Sequence, residues 1–112
     1  MDPAFLITRI PIKISGDPAR DTVQDGEVMT TAGRPNAPMD YQKAPKVAEA
    51  LKGQTILEVW YSLRDNLSGL PGFQSIEFVH DGKSIYVNST YSDGGKKVRA
   101  TIQVTAYVLH RK

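Results

Sequence analysis

Residues 98–108 carry apolar side chains at every second position, and this pattern constrains the fold more than any other part of the sequence. The apolar residues are Val98, Ala100, Ile102, Val104, Ala106 and Val108. A period of two is typical of a β-strand that buries one face and exposes the other. The chain is therefore expected to contain a sheet that this long strand organises.

A second strand is predicted at residues 5–14, where Ile10, Ile12 and Ile14 share one face. Pro11 has no main-chain N–H to donate, so this strand is expected to lie at a sheet edge, at least locally. It is one of three candidates to pair with the end of the C-terminal strand, beside the arm hairpin and a neighbouring molecule.

The segment 15–44 contains few core-forming residues and several turn sequences, including SGDP, AGRP and NAP. We interpret it as an extended loop or arm. Within it, the pair Asp25-Gly26 suits a two-residue hairpin turn that would join Val23 to Val28. A connection of this length is unusual in a compact domain, so the segment is either a flexible linker or an arm that gains its order from another contact.

A helix is predicted from Thr55 to about residue 67. Its apolar stripe repeats at intervals of four, three and four residues: Ile56, Trp60, Leu63 and Leu67. Thr55 and Glu58 match a capping box at its start, and Gly69 with Pro71 would end it. A shorter helix is predicted from Pro45 to Gly53. The longer helix is expected to cover one face of the sheet.

Two further Asp-Gly pairs, at residues 81–82 and 93–94, predict a three-strand meander. Two-residue turns at these positions would place His80 opposite Lys83, and Val87 opposite Ala100. Both registers bring the same apolar residues to one face: Ile76, Phe78, Ile85, Val87, Val98, Ala100 and Ile102. A one-residue slip would scatter this set between the two faces, which favours the register.

The predicted fold is therefore α+β, in a single domain that spans residues 1–112. An antiparallel sheet of about four strands, formed by the N-terminal strand and the C-terminal three-strand meander, would carry one main helix on one face. The arm would lie between the first strand and the helix.

The composition limits the possible classes of function. The chain has 112 residues, a net charge of +2 and no cysteine. The small charge does not demand a polyanionic partner, and disulfides and thiolate metal sites are excluded. The start of the sequence lacks the features of a signal peptide, and no apolar run is long enough for a membrane span. We expect a cytoplasmic location or incorporation into a virion-type particle, without membrane contact.

No motif in the sequence indicates catalysis. His80 and His110 lack the spaced partner ligands of a zinc site, and both are expected to be exposed to solvent. The acidic residues between positions 17 and 27 do not follow the spacing of a calcium loop. Neither a nucleophilic serine elbow nor a glycine-rich phosphate loop is present. We expect a protein that is not an enzyme and needs neither a cofactor nor a metal.

The outer face of the predicted sheet is the best candidate for a contact with a partner. Its candidate residues are Tyr86, Asn88, Arg99, Thr101, Gln103, Thr105, Tyr107 and Leu109. The predicted hairpin partner does not reach residues 105–109, so their main-chain groups would be free to add another strand. Candidate contact residues in the arm are Val23, Asp25, Gly26, Val28 and Met29.

These features predict a small self-associating subunit of a ring, a tube, or a virion- or phage-tail-type assembly, built through the arm and the sheet edge. Two alternatives remain open. The tyrosines and basic residues of the outer face would also suit a module that binds single-stranded nucleic acid. A monomeric adaptor or inhibitor would use the same surfaces, and an outer face that is simply solvated would have no partner.

Overall fold

The computed structural model describes residues 5–63, 73–91 and 101–112, and these residues form seven strands and one short helix. The elements are β1 (Leu6–Ser15), β2 (Val28–Thr31), β3 (Ala37–Pro38), α1 (Pro45–Leu51), β4 (Thr55–Leu63), β5 (Phe73–His80), β6 (Ile85–Tyr91) and β7 (Thr101–Arg111). Sheet A has the strand order β2-β1-β7-β4, and sheet B has the order β3-β6-β5. The protein is thus mostly β, and the prediction of an α+β fold with a main helix on the sheet is wrong.

Strand β7 occupies the interior of sheet A. Its alternation is confirmed, because Ile102, Val104, Ala106 and Val108 are all at most 2% exposed. It pairs antiparallel with β1 on one side and with β4 on the other. The prediction that residues 105–109 have a free edge is wrong, since Thr105 pairs with both Pro11 and Ser62, and Leu109 with both Ile7 and Glu58.

The segment predicted as the main helix forms strand β4 instead. Val59 and Tyr61 pack against the core, whereas Glu58, Trp60 and Ser62 are exposed. This alternation has a period of two, and a bulge at Leu57 separates it from the buried Ile56. β-Branched and aromatic residues favour a strand, and the β7 ladder is available along the whole segment. Residues 67, 69 and 71 of the predicted helix lie outside the described ranges.

The shorter helix is confirmed as α1, which begins at Pro45. Proline suits the first turn of a helix because the N–H that it lacks would have no partner there. Gly53 follows the helix with a φ of +70°, a left-handed conformation that glycine adopts without strain. The chain thereby turns from α1 into β4.

A single core lies between the two sheets. Sheet A contributes Ile10, Ile12 and Ile14 among others, and sheet B contributes Ile76, Ile85 and Val87. Tyr61 of β4 links the sheets directly, because its hydroxyl donates to the carbonyl of Ile76 at 2.8 Å. Its ring also contacts that of Phe78, with the ring centroids 5.0 Å apart. Sheet B therefore provides the cover that the sequence pattern assigned to a helix.

The predicted meander is only partly correct. Strands β5 and β6 form a hairpin, but His80 pairs with Ile85 rather than with Lys83. A shift by two residues leaves the side chains of both strands on their predicted faces, so Ile76, Phe78, Ile85 and Val87 stay together. The second predicted pairing, between β6 and the C-terminal strand, is wrong for the residues that the structure describes, because β6 and β7 belong to different sheets and Val87 pairs with Ala37 and Phe78. The predicted partners at residues 96–100 lie outside the described ranges. Residues 93 and 94 lie outside the described ranges.

The loop between β5 and β6 is longer than predicted because the Asp81 side chain stabilises it. Its Oδ1 accepts hydrogen bonds from the backbone N–H groups of Ser84 at 2.7 Å and Lys83 at 2.9 Å. These hydrogen bonds lower the pKa of Asp81. Gly82 supplies the positive φ, +89°, that the loop requires.

The segment 15–44 is folded onto the rest of the chain. Strand β2 runs parallel to the end of β1 and pairs with it from Ile12 onward. Among the described residues, residues 6–11 have no strand partner on that side, as Pro11 predicts. Val28 is fully buried. The Asp25-Gly26 turn exists, with the Glu27 N–H donating to the Gln24 carbonyl at 3.0 Å. The predicted hairpin does not, since β2 pairs with β1.

Candidate protein contact face

The outer face of sheet A combines side chains from three adjacent strands. Successive residues of a strand point to opposite faces, so the neighbours of buried core residues point away from the core. A loop of the same chain covers one end of this outer face. Outside the loop, the outward-pointing residues in the described part of β1, β7 and β4 are Ile7, Arg9, Pro11, Thr105, Tyr107, Leu109, Glu58, Trp60 and Ser62. We call this set the contact face.

The strand register arranges the contact face in three rows, each running from β1 across β7 to β4. The rows are Ile7–Leu109–Glu58, Arg9–Tyr107–Trp60 and Pro11–Thr105–Ser62. The first two rows hold all of the aromatic and large aliphatic side chains of the face. They also hold its two charges, and they lie side by side.

The apolar part of the contact face is unusually exposed. Ile7 is 61% exposed and Trp60 is 40% exposed, and Phe5, just before β1, is 53% exposed. The Trp60 ring stacks on the Tyr107 ring, with centroids 5.9 Å apart and planes inclined by 16°. Single exposed apolar residues are common on protein surfaces, but contiguous groups are typical of interaction sites.

The two charges of the contact face have no ion-pair partner within the described ranges. Arg9 and Glu58 are both exposed, and the ion pairs among the described residues join Lys13 to Glu27 and Arg20 to Asp17. Arg9 and Glu58 lie on the two outer strands of the face, at opposite ends of its diagonal. The face therefore carries one positive and one negative charge around an apolar centre.

A loop of the same chain covers the outer face of sheet A next to the contact face. Asp21 in this loop accepts hydrogen bonds from the hydroxyls of Ser15 and Thr101, the latter at 2.6 Å. These bonds, with a smaller effect from Lys13, lower the pKa of Asp21. Lys13 itself donates to the Thr22 carbonyl at 2.6 Å. The loop thus occupies the polar rows of the outer face and leaves the apolar rows open.

A buried polar network fixes the strands beneath the open rows. Thr8 Oγ1 lies 2.6 Å from His110 Nε2, and Gln54 Oε1 lies 2.8 Å from His110 Nδ1. A neutral imidazole with its proton on Nδ1 satisfies both contacts, because Nδ1 donates to Gln54 and Nε2 accepts from Thr8. Burial lowers the pKa of His110, which is 1% exposed, so the expectation of a solvent-exposed His110 is wrong.

The free edge of sheet A on the β7 side belongs to β4. Within the described ranges, β4 pairs with β7 alone, and its other edge has no strand partner. One main-chain contact reaches it from outside the sheet, from the Ile56 N–H to the Gly82 carbonyl at 2.8 Å. The edge strand of this sheet is therefore the segment that sequence reasoning placed in a helix.

The structure separates the predicted partner-binding residues into three groups. Thr105, Tyr107 and Leu109 lie on the contact face. Thr101 and Gln103 contact the covering loop through Asp21 and Glu27. The rest are Tyr86 and Asn88, which lie on β6 in sheet B, and Arg99, which lies outside the described ranges.

The two β6 residues lie in a different sheet from Thr101, and each has contacts of its own. Asn88 Oδ1 accepts a hydrogen bond from the Asn36 N–H at 2.6 Å and holds that loop against β6. Tyr86 lines a cleft of about 680 Å³ between α1 and β6, together with Tyr41 and Lys52. This cleft lies on the other sheet from the contact face.

The predicted arm residues lie mostly within the chain's own fold. Val28 and Met29 of β2 are 0% and 8% exposed, so neither is presented to a neighbour in this conformation. Asp25 and Gly26 form an exposed turn, and Val23 is half-buried. Their role in subunit contacts stays a prediction.

Sequence reasoning missed the residues that give the contact face its character. The sequence pattern placed Trp60 in a buried helical stripe and Glu58 in a capping box, and neither they nor Ile7 and Arg9 were among the candidate contact residues. The period-two pattern of residues 58–62 was the available signal for the outward position of Trp60. The pairing of β1 and β4 on the two sides of β7, which assembles the face, has no local signal.

Other kinds of site find less support in the described residues. Among them, no three His, Asp or Glu side chains lie close enough to hold a metal ion. No helix in the described part of the chain is both long and apolar enough to cross a membrane. No family model, curated protein or solved structure is significantly similar to this chain, so the functional argument depends on its own surfaces.

Proposed function

We propose that the chain is a non-catalytic assembly subunit that associates with copies of itself through the contact face. A ring, a tube, or a virion- or phage-tail-type particle is the kind of assembly that such a subunit builds. The observation that carries this proposal is a contiguous apolar cluster on the outer face, in which Ile7 and Trp60 are exposed and Tyr107 and Leu109 are half-buried.

The composition of the face supports a protein partner. Trp, Tyr and Arg are the residues most enriched among those that dominate protein–protein binding energy. All three types stand in one row of the contact face, as Arg9, Tyr107 and Trp60. The outer face of an antiparallel sheet is usually polar when it faces water, and these rows depart from that pattern.

Single-stranded nucleic acid is a less suitable partner. The Trp60 and Tyr107 rings stack on each other, which leaves fewer free ring faces for bases. Glu58 offsets the charge of Arg9, so the face has no excess of positive charge to attract phosphates.

The test is the molar mass in solution, measured by light scattering after size exclusion over a range of concentrations. The wild-type protein is expected to exceed the 12.4 kDa of one chain. Trp60→Thr and Ile7→Thr are expected to reduce the mass towards that of a monomer, because both remove apolar area from the contact face. Threonine keeps a high strand propensity at each position.

A matched control is available on the same strand. Leu6 is 48% exposed and adjoins Ile7, which is 61% exposed, but it points to the opposite face. Leu6→Thr should leave the mass of the assembly unchanged. A monomeric wild-type protein would refute the proposal; salt-sensitive binding to oligonucleotides would then favour the nucleic-acid module, and its absence the adaptor or inhibitor.

A further inference from the structure

We infer that a second copy of the chain docks face to face on the contact face, about a two-fold axis that pairs Arg9 of each copy with Glu58 of the other. This inference rests on the proposed function and gives the self-association a specific geometry. It follows from the positions of the two charges and of the apolar side chains between them.

Arg9 and Glu58 are too far apart to neutralise each other within one chain. They stand on β1 and β4, two strand spacings apart, and one row apart along the strands. With strands about 4.8 Å apart and a rise of about 3.4 Å per residue, their Cα atoms are separated by about 12 Å. The side chains of Tyr107 and Leu109 lie between them.

A two-fold axis can bring each charge over its opposite in the second copy. The axis lies between sheet A of one copy and sheet A of the other, and it is parallel to both. It runs perpendicular to the line from Arg9 to Glu58. It is then inclined by about 35° to the strands, and the strands of the two copies cross at about 70°. This angle is close to the near-perpendicular arrangement in which one class of sheets packs face to face.

The same rotation matches the apolar side chains by type. The aromatic pair, Trp60 and Tyr107, falls over the same pair of the second copy. The aliphatic pair, Ile7 and Leu109, falls over Ile7 and Leu109 of the second copy. The axis thus produces a closed interface in which one surface patch complements itself, as two-fold symmetric dimers require. Such dimers would be the units from which a larger assembly is built through a second surface. Two reciprocal ion pairs flank an apolar centre.

Charge reversal tests this geometry. Arg9→Glu places two carboxylates together at each of the two charge contacts, and Glu58→Arg places two guanidinium groups together. Each single variant should weaken dimerisation at least about tenfold, because like charges brought together in an interface are strongly unfavourable. The double variant R9E/E58R exchanges the charges, and its dissociation constant should return to within about threefold of the wild-type value.

Sedimentation equilibrium gives the dissociation constants, and circular dichroism verifies that each variant is folded. If a reversal prevents folding, Arg9→Gln and Glu58→Gln provide milder substitutions, each of which should weaken the dimer and make it less sensitive to salt. The control is the pair Lys46→Glu and Glu77→Lys, on exposed positions of α1 and β5 away from the contact face. These variants should dimerise like the wild type.

The outcomes separate the inference from the proposed function. If the wild type associates and Trp60→Thr weakens it, but R9E/E58R is no tighter than either single variant, the two-fold geometry is wrong and the proposed function stands. Single reversals without effect would also overturn the inference. A wild-type monomer at all concentrations would overturn both.

Discussion

Residues 60 and 61 are neighbours in β4 and should respond in opposite ways to the same substitution. Tyr61 points into the core, where its ring contacts Phe78 and its hydroxyl donates to the Ile76 carbonyl. Trp60 points outward and stacks on Tyr107. In the helix predicted from the sequence, Trp60 would instead be buried and Tyr61 would lie outside the buried stripe. Threonine at either position keeps the strand propensity, so the comparison isolates the side-chain contacts.

The magnitude follows from the contacts that each substitution removes. For Tyr61→Thr, loss of the hydrogen bond costs about 1 kcal/mol, loss of the ring pair costs about 1 kcal/mol, and lost apolar burial adds about 1 kcal/mol because the side chain is half-buried. The free energy of unfolding should fall by about 3 kcal/mol, which lowers the melting temperature by about 12 °C for a chain of this length. Trp60→Thr loses the stack on Tyr107 and part of the apolar contact of a ring that is 40% exposed, so it should cost less, about 1.5 kcal/mol.

Urea denaturation monitored by circular dichroism measures both free energies. The measurement is repeated at two protein concentrations, because association adds to the apparent stability of the wild type. Trp60→Thr should remove that concentration dependence, and Tyr61→Thr should retain it. If Trp60→Thr proves the more destabilising of the two at the lower concentration, the assignment of inner and outer faces in β4 is wrong.

Three further substitutions or conditions test the features that position the contact face. Burial lowers the pKa of His110 from its ordinary value of 6.5, so the unfolded chain binds more protons than the folded one below that pH. The free energy of unfolding should therefore decline as the pH falls below about 6.5. Urea titrations should show a steeper decline for the wild type than for His110→Gln. Hydrogen bonds from Ser15 and Thr101 lower the pKa of Asp21 from 3.8. The contribution of Asp21 to the free energy of unfolding should therefore be complete above pH 3.8 and disappear as the pH falls through the lower folded pKa. Asp21→Asn should cost about 1 kcal/mol at neutral pH, measured by chemical denaturation, since the carboxylate is only partly buried. Gly53 has a φ of +70° with nothing within 4 Å of an added Cβ, so Gly53→Ala should cost about 1 kcal/mol from backbone conformation alone. Gly53→Asn should cost less when both are measured by urea denaturation, and an equal cost for both would contradict this account.

The strands at the two ends of the chain could be predicted because their pattern has a short period. Ile10, Ile12 and Ile14 in β1, and the matching apolar positions in β7, are buried as their alternation predicts. The short helix α1 was also predictable, since Pro45 and Gly53 mark its limits with residues whose backbone preferences are strong. In each case the information lies within a few neighbouring residues.

The main errors have a common physical origin in contacts between distant segments. Residues 55–63 contain apolar side chains at spacings compatible with both a helix and a strand. The ladder with β7, from Leu63–Val104 to Thr55–Arg111, decides between them, and its partners lie 41 to 56 positions away in the sequence. β6 and β7 both carry a core-facing apolar set, but nothing local indicates that the two strands belong to different sheets. Both sets do reach the same core, which explains why a wrong pairing still gave the correct buried face.

Contacts within the chain cover only part of the outer face of sheet A. Its polar rows are satisfied from within, because Asp21 accepts from Ser15 and Thr101, and Lys13 reaches both Thr22 and Glu27. The loop that makes these contacts leaves the rows of Ile7 and Arg9 open. Burying such rows against a partner would remove apolar area from water at about 25 cal/mol per Å². A loop with mainly polar side chains would bury little apolar area of its own by covering these rows. A second contact face would bury apolar area on both partners, and this difference favours an identical chain as the occupant.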